Sequence, residues 1–179
     1  MAKRVSFSGE HLGLPEIAAH HQDLESSLRL YFSAASPSYP VRFNRYAATR
    51  VAHELRERLK EVDLTSTLTV LASVEAAFRI DYLQRCYRRE RDPISRAFRE
   101  IYKVRQRYVS LEDEIFEVWV DSSTVPRSVI SKLRGAFKFR HWLAHGRYLT
   151  RKSDLYGFND VYALADLTLR SFPFYEFGG

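Results

Sequence analysis

Apolar residues recur at three- and four-residue spacing along most of the chain, and little interrupts them. Only 7 glycines and 6 prolines occur in 179 residues, mostly between the periodic segments. That pattern predicts helices. Leu14, Ile17, Leu24, Leu28 and Phe32 mark a first helix, and the two prolines of "SAASPSYPVRF" break it. A second amphipathic segment runs from about Arg45 to Val62. Asp63 or Thr65 is then placed to cap a third helix reaching about Arg91. Its Leu68, Leu71, Val74, Ala77, Phe78 and Leu83 form the expected centre of the core. Asp92-Pro93 reads as an N-cap followed by proline at the first helical position, opening a helix to about Arg107. Ser110-x-x-Asp113 resembles a capping box, with aspartate in place of the usual glutamate, and opens a helix through Trp119. Thr124 is placed to cap a long helix over about 126–145, and Gly146 suits its left-handed C-cap. Asp160 to Ser171 reads as the last helix. The β-branched run "TSTLTVLASV" is the one strand-like stretch, but its apolar spacing continues into a helix. The expected fold is all-α, an up-and-down helical bundle forming one domain over residues 1–179.

The charge balance suggests a partner. Lys plus Arg total 28 against 22 Asp plus Glu, a net charge of +6, and all but six of the 28 are arginine. Arginine grips phosphate with a planar fork and stacks on bases, which points to nucleic acid; arginine-rich helices that simply solvate well are the plainer explanation. Cys86 is the lone cysteine, so no intrachain disulfide can form, which fits a reducing cytoplasm. "MAKRVSFSGEHLG" has two early basic residues but no apolar run behind them, and no stretch is apolar enough to span a membrane. A soluble, cytoplasmic protein is the expectation.

The stretch "FKFRHWLAHGRYL" sets Arg140, His141 and His145 into an otherwise apolar helical pattern. Residues five apart on a helix are rotated by about 140°, so Arg140 and His145 do not share a face. His141 and His145, four apart, line up. Three readings follow. In the first, Arg140 only pairs with an acid while the histidines cap or pack. In the second, His141 and His145 are two metal ligands. Trp142, however, follows His141 where a zinc-protease helix carries glutamate, and no spacing ties the pair to His11, His20 or His21 as further ligands. No metal site is expected.

The third reading is a resemblance. Arginine, four residues, then histidine, with histidine directly after the arginine, is similar to the motif of the HEPN domain (higher eukaryotes and prokaryotes nucleotide-binding). "RHWLAHGRY" resembles bacterial HEPN proteins over its whole length, and "VEAAFRIDYLQR" and "ISRAFREIYKVRQRYVSLEDEIFEVW" do so more loosely. The resemblance implies a HEPN-like bundle with extra helices and a metal-independent, cofactor-free endoribonuclease. It implies a homodimer whose active site combines Arg140 and His145 from both subunits, with His141 supporting. A toxin of a toxin–antitoxin system or a phage-defence effector is the expected biology, with a possible antitoxin or defence-system partner protein. In one branch of the family a partner modifies a tyrosine two positions past the motif histidine. Here that position is Arg147, and Tyr148 follows it as the candidate for modification. The alternative is a non-catalytic helical module that binds RNA, a nucleotide or a protein.

Ribonuclease chemistry suits these residue types on its own terms. RNA carries its nucleophile as the 2′-OH, histidine can take or give the proton, and arginine can hold the charged phosphoryl centre. For RNA contacts, Arg134, Lys138 and Arg147 lie nearest the motif. Arg88 and Arg89 belong to a basic run between Arg79 and Arg107 in which Tyr82, Tyr87, Tyr102 and Tyr108 are interleaved. Those tyrosines either stack on bases or pack inward. Glu75 and Arg79, one turn apart, either support the motif arginine or form a surface pair. The aromatic tail at 172–179 is flexible, binds a partner, or folds back on its own core.

Overall fold

The structure, a computed structural model, describes residues 4–150 and 156–175. Among these residues every regular element is helical. The elements are α1 (Leu14–Tyr31), α2 (Tyr39–Phe43), α3 (Ala48–Arg88), α4 (Pro93–Arg105), a π-helical turn (Leu111–Ile115) leading into α5 (Phe116–Ser122), α6 (Arg127–Ala144) and α7 (Phe158–Ser171). The fold is an all-α bundle, and α3 is its axis: α1, α4, α6 and α7 all pack against it. No described helix is long and apolar enough to cross a membrane.

The predicted break at Asp63 or Thr65 does not occur. α3 is continuous over 41 residues and contains neither glycine nor proline. Its threonines do not cap; they turn back onto the helix's own carbonyls. Thr65 Oγ1 donates to Glu61 O at 2.9 Å, Thr67 Oγ1 to Asp63 O at 2.7 Å and Thr69 Oγ1 to Thr65 O at 3.0 Å. Hydroxyls satisfied in this way do not compete with the helix. Asp63 instead faces His21 Nε2 at 3.5 Å, while His21 Nδ1 meets Ser66 Oγ at 3.1 Å and its ring stacks on Phe158 at 3.8 Å. His21, weighed above as a metal partner, is therefore taken up by packing.

Other starts and stops follow local chemistry more closely. Asp92 caps α4 by accepting the Ser95 N–H at 2.9 Å. Ser110 Oγ accepts the Asp113 N–H at 3.2 Å, but the acid that reaches back to the Ser110 N–H is Glu114, at 2.7 Å. The π-helical turn explains the shift. It carries one extra residue, with Ile115 N–H bonded to Ser110 O at 3.0 Å, so the reciprocal partner moves one position on. α6 has Pro126 at its N-cap with no side-chain cap, so Thr124 does not serve there. α7 begins at Phe158, and Asp160 Oδ2 accepts the Gly157 N–H at 3.3 Å.

The core is aromatic. Trp119, Tyr82, Phe78, Phe98 and Phe116 are among its largest fully buried side chains, each of a size that contributes about 1.5–3 kcal/mol on burial. The tail folds onto this core. Phe172 and Phe174 pack edge-on against Phe78 at 5.0 and 4.9 Å. Asp81, fully buried on α3, accepts the Tyr175 N–H at 2.9 Å, and Arg85 donates to Pro173 O at 2.6 Å. The tail beyond Tyr175 lies outside the described residues.

Candidate active site

The core face of α6 runs through Val129, Ile130, Leu133, Ala136 and Phe137. Arg140 is the next position on that stripe, three residues past Phe137, so it enters the groove against α3 where the apolar face ends. His141 lies one turn past Phe137 toward the open side, and His145 one turn further. Both histidines are exposed, with ring centroids 4.1 Å apart.

Three contacts hold this helix end. Gly146, at φ +84°, provides the left-handed turn, and the Arg147 N–H returns to Trp142 O at 3.2 Å as in a Schellman cap. Trp142 Nε1 donates to Leu149 O at 2.7 Å. Arg147 forks onto Glu61 of α3, at 2.7 and 2.8 Å. Below this end, Phe139 stacks between Trp142 and Tyr156 at 5.7 and 5.6 Å. Gly135 makes that approach possible, because a Cβ there would collide with the Tyr156 hydroxyl.

Arg140 itself is held and partly open. Its Nη2 lies 3.1 Å from Glu75 Oε2, and its side chain keeps 35% of its accessibility. Glu75 Oε1 accepts from Arg79 Nε at 2.7 Å, and Arg79 Nη1 donates to Val109 O at 3.0 Å. Glu75 and Arg79 thus form a chain that orients the motif arginine. Arg140 Nε is buried and finds no acceptor among the described residues. An open cleft of about 380 Å³ lies over this chain, walled by Glu75 and Arg79 from α3, by Phe137, Arg140 and His141 from α6, and by Ser110 to Asp113. Glu75, Glu112 and Asp113 offset Arg79 and Arg140, so the cleft is nearly balanced in charge. It can position a reacting phosphate through Arg140 but does not attract a polyanion strongly.

The structure distributes the expected RNA contacts unevenly. Lys138 is exposed beside the motif. Arg134 is committed to Glu117 and covers the Phe116 ring at 5.8 Å. Arg147 is committed to Glu61, and that guanidinium holds the Glu61 carboxyl below the usual carboxylate range. Neither arginine is presented to a phosphate. Arg88 lies over the Tyr175 ring at 4.9 Å and Arg89 ends α3, about 20 Å along the helix from Glu75. Arg85, part of the same basic run, is 5% exposed and buried against Asp81, so it cannot meet RNA. Of the interleaved tyrosines, Tyr82 is buried with its hydroxyl on Gln106 O at 2.8 Å, while Tyr108 is 74% exposed. Tyr148 is also exposed. Sequence reasoning missed the Ser110–Asp113 wall, whose residues it had read only as a helix start, and the acids Glu61 and Glu117 that engage the nearby arginines.

No protein-family model, no curated protein and no solved structure matches the chain.

Proposed function

We propose that the chain is a metal-independent endoribonuclease of the HEPN type, acting in the cytoplasm as a homodimer and serving as a toxin or phage-defence effector. The observation that carries this reading is the meeting of Arg140 with His141 and the exposed His145 at one open helix end, with Arg140 oriented through Glu75 and Arg79. A neutral histidine takes the proton from the 2′-OH as that oxygen bonds to phosphorus. A protonated histidine gives its proton to the 5′-oxygen as the phosphorus–oxygen bond breaks. Arg140 stabilises the charge on the non-bridging oxygens between those events. The products are a 2′,3′-cyclic phosphate and a 5′-hydroxyl. A second subunit would bring a second Arg140–His145 pair to the same phosphate.

One observation favours a second reading, a non-catalytic binding module. Arg140 already has a carboxylate partner in Glu75, which weakens its pull on phosphate. Cleavage of a mixed RNA pool in EDTA separates the two. The nuclease reading expects cutting by the wild type, cyclic-phosphate ends, and no cutting by Arg140→Ala or His145→Ala. RNA binding with no cleavage by the wild type would favour the module.

A further inference from the structure

We infer that a basic, tyrosine-lined groove, separate from the Arg140 cleft, binds a single strand of nucleic acid; its role as the substrate's path rests on the ribonuclease reading. The groove begins in a cleft of about 770 Å³ between the N-terminal segment, the end of α3 and α4. Arg4, Arg89, Arg99 and Lys103 supply its charge, and Tyr87 and Tyr102 its aromatic wall. It continues into a second cleft of about 510 Å³ that shares Arg4 and Tyr102 and adds Arg107 and Tyr108. Among the described residues, neither cleft is lined by an acid. The nearest offset is Glu100, 2.6 Å from Lys103, with both side chains mostly in solvent.

The groove pairs cations with rings at short range. Arg4 lies over Tyr87 at 5.4 Å, Tyr87 meets Tyr102 edge-on at 6.0 Å, and Arg107 lies over Tyr108 at 4.9 Å. Backbone phosphates on the cations and unpaired bases on the rings is the arrangement that binds single strands without reading sequence. A duplex hides its base faces and cannot use the rings. The balanced Arg140 cleft lacks such attraction, so the groove supplies the affinity that the cleft does not. The two are joined by one loop. Gln106 to Tyr108 wall the end of the groove and Ser110 to Asp113 wall the cleft. α3 fixes the loop between them, through Tyr82 on Gln106 O at 2.8 Å and Arg79 on Val109 O at 3.0 Å.

Fluorescence anisotropy of a labelled oligouridylate of about twelve nucleotides tests this, in EDTA and in a His145→Ala background that keeps RNA intact. The single strand is expected to bind at least about tenfold tighter than a duplex of equal length. Lys103→Glu with Arg107→Glu should weaken it by at least about tenfold and reduce the salt dependence by about one unit of slope. Tyr108→Ala removes a ring that is 74% exposed, so it folds even if the charge reversal does not, and should cost about tenfold. Lys132→Glu, outside the groove, should bind as the parent does. Groove variants that bind like the Lys132→Glu control, or a duplex that binds as well as the single strand, would overturn the inference while leaving the nuclease reading intact. Groove-dependent binding by a wild type that never cuts RNA would keep the groove and remove the nuclease.

Discussion

Two arginines of this bundle each meet a carboxylate of α3, and they are opposites in every other respect. Arg85 is 5% exposed and Asp81 is fully buried; the guanidinium faces both Asp81 oxygens, Asp92 and Pro173 O, and lies over Trp119 and Tyr175. Arg140 is a third exposed, has one carboxylate partner among the described residues, and leaves Nε there without an acceptor. The first arginine is spent on structure: it fastens the tail to the core from inside. The second is held from one side only and faces a cleft. Ion pairing to a neighbouring acid therefore does not by itself mark an arginine as structural. What separates the two is whether every donor is used and whether solvent reaches the group.

The largest effect expected from this contrast is at Asp81. Asp81→Ala leaves Arg85 buried without its main counter-charge and removes the acceptor for the Tyr175 N–H. Such losses cost about 3–5 kcal/mol, so denaturant unfolding should show a large destabilisation. A change under about 1 kcal/mol would break the comparison. A smaller and different effect is expected at Glu75. Glu75→Gln removes the charge that orients Arg140 and Arg79, so RNA cleavage should fall on the order of tenfold to a hundredfold while unfolding shifts by about 1 kcal/mol or less. Equal losses of stability and activity would make Glu75 simply structural.

The smallest effect concerns the clamp at the motif's end. Arg147 holds the Glu61 carboxyl below its ordinary value of 4.5. A carboxyl depressed by folding adds stability that is present above that value and is lost as pH falls through its folded pKa. The wild type should therefore exceed Glu61→Gln in melting temperature at neutral pH by a small margin, and the margin should vanish in acid. A margin that grew in acid would contradict the assignment.

Much of this was legible in the sequence where the signal is local. Asp92-Pro93 and Gly146 act at the positions their chemistry predicts, and Glu75 and Arg79, one turn apart, lie against Arg140. What was not legible depends on distant or competing partners. Thr65 has a hydroxyl suited to capping, and only the uninterrupted helix on both sides turns it back onto Glu61 O. Asp81 and Arg85, four apart, look like a surface pair; the Tyr175 N–H that completes their burial arrives from 94 residues away. The π-helical turn moves the capping acid from Asp113 to Glu114 by inserting a residue that no spacing rule anticipates. Arg134 and Arg147 look free beside the motif because the acids that engage them, Glu117 and Glu61, belong to other helices.

The contrast rests finally on Arg140, and the most direct measurement is Arg140→Ala assayed for unfolding and for RNA cleavage in the same preparation. Arg79 continues to hold Glu75 in that variant, so stability should change by about 1 kcal/mol or less. Cleavage in EDTA should fall at least about a thousandfold, as when a group that stabilises transition-state charge is removed. A loss of several kcal/mol of stability, or cleavage that persists, would place Arg140 with Arg85 among the structural arginines and contradict the assignment of the active site.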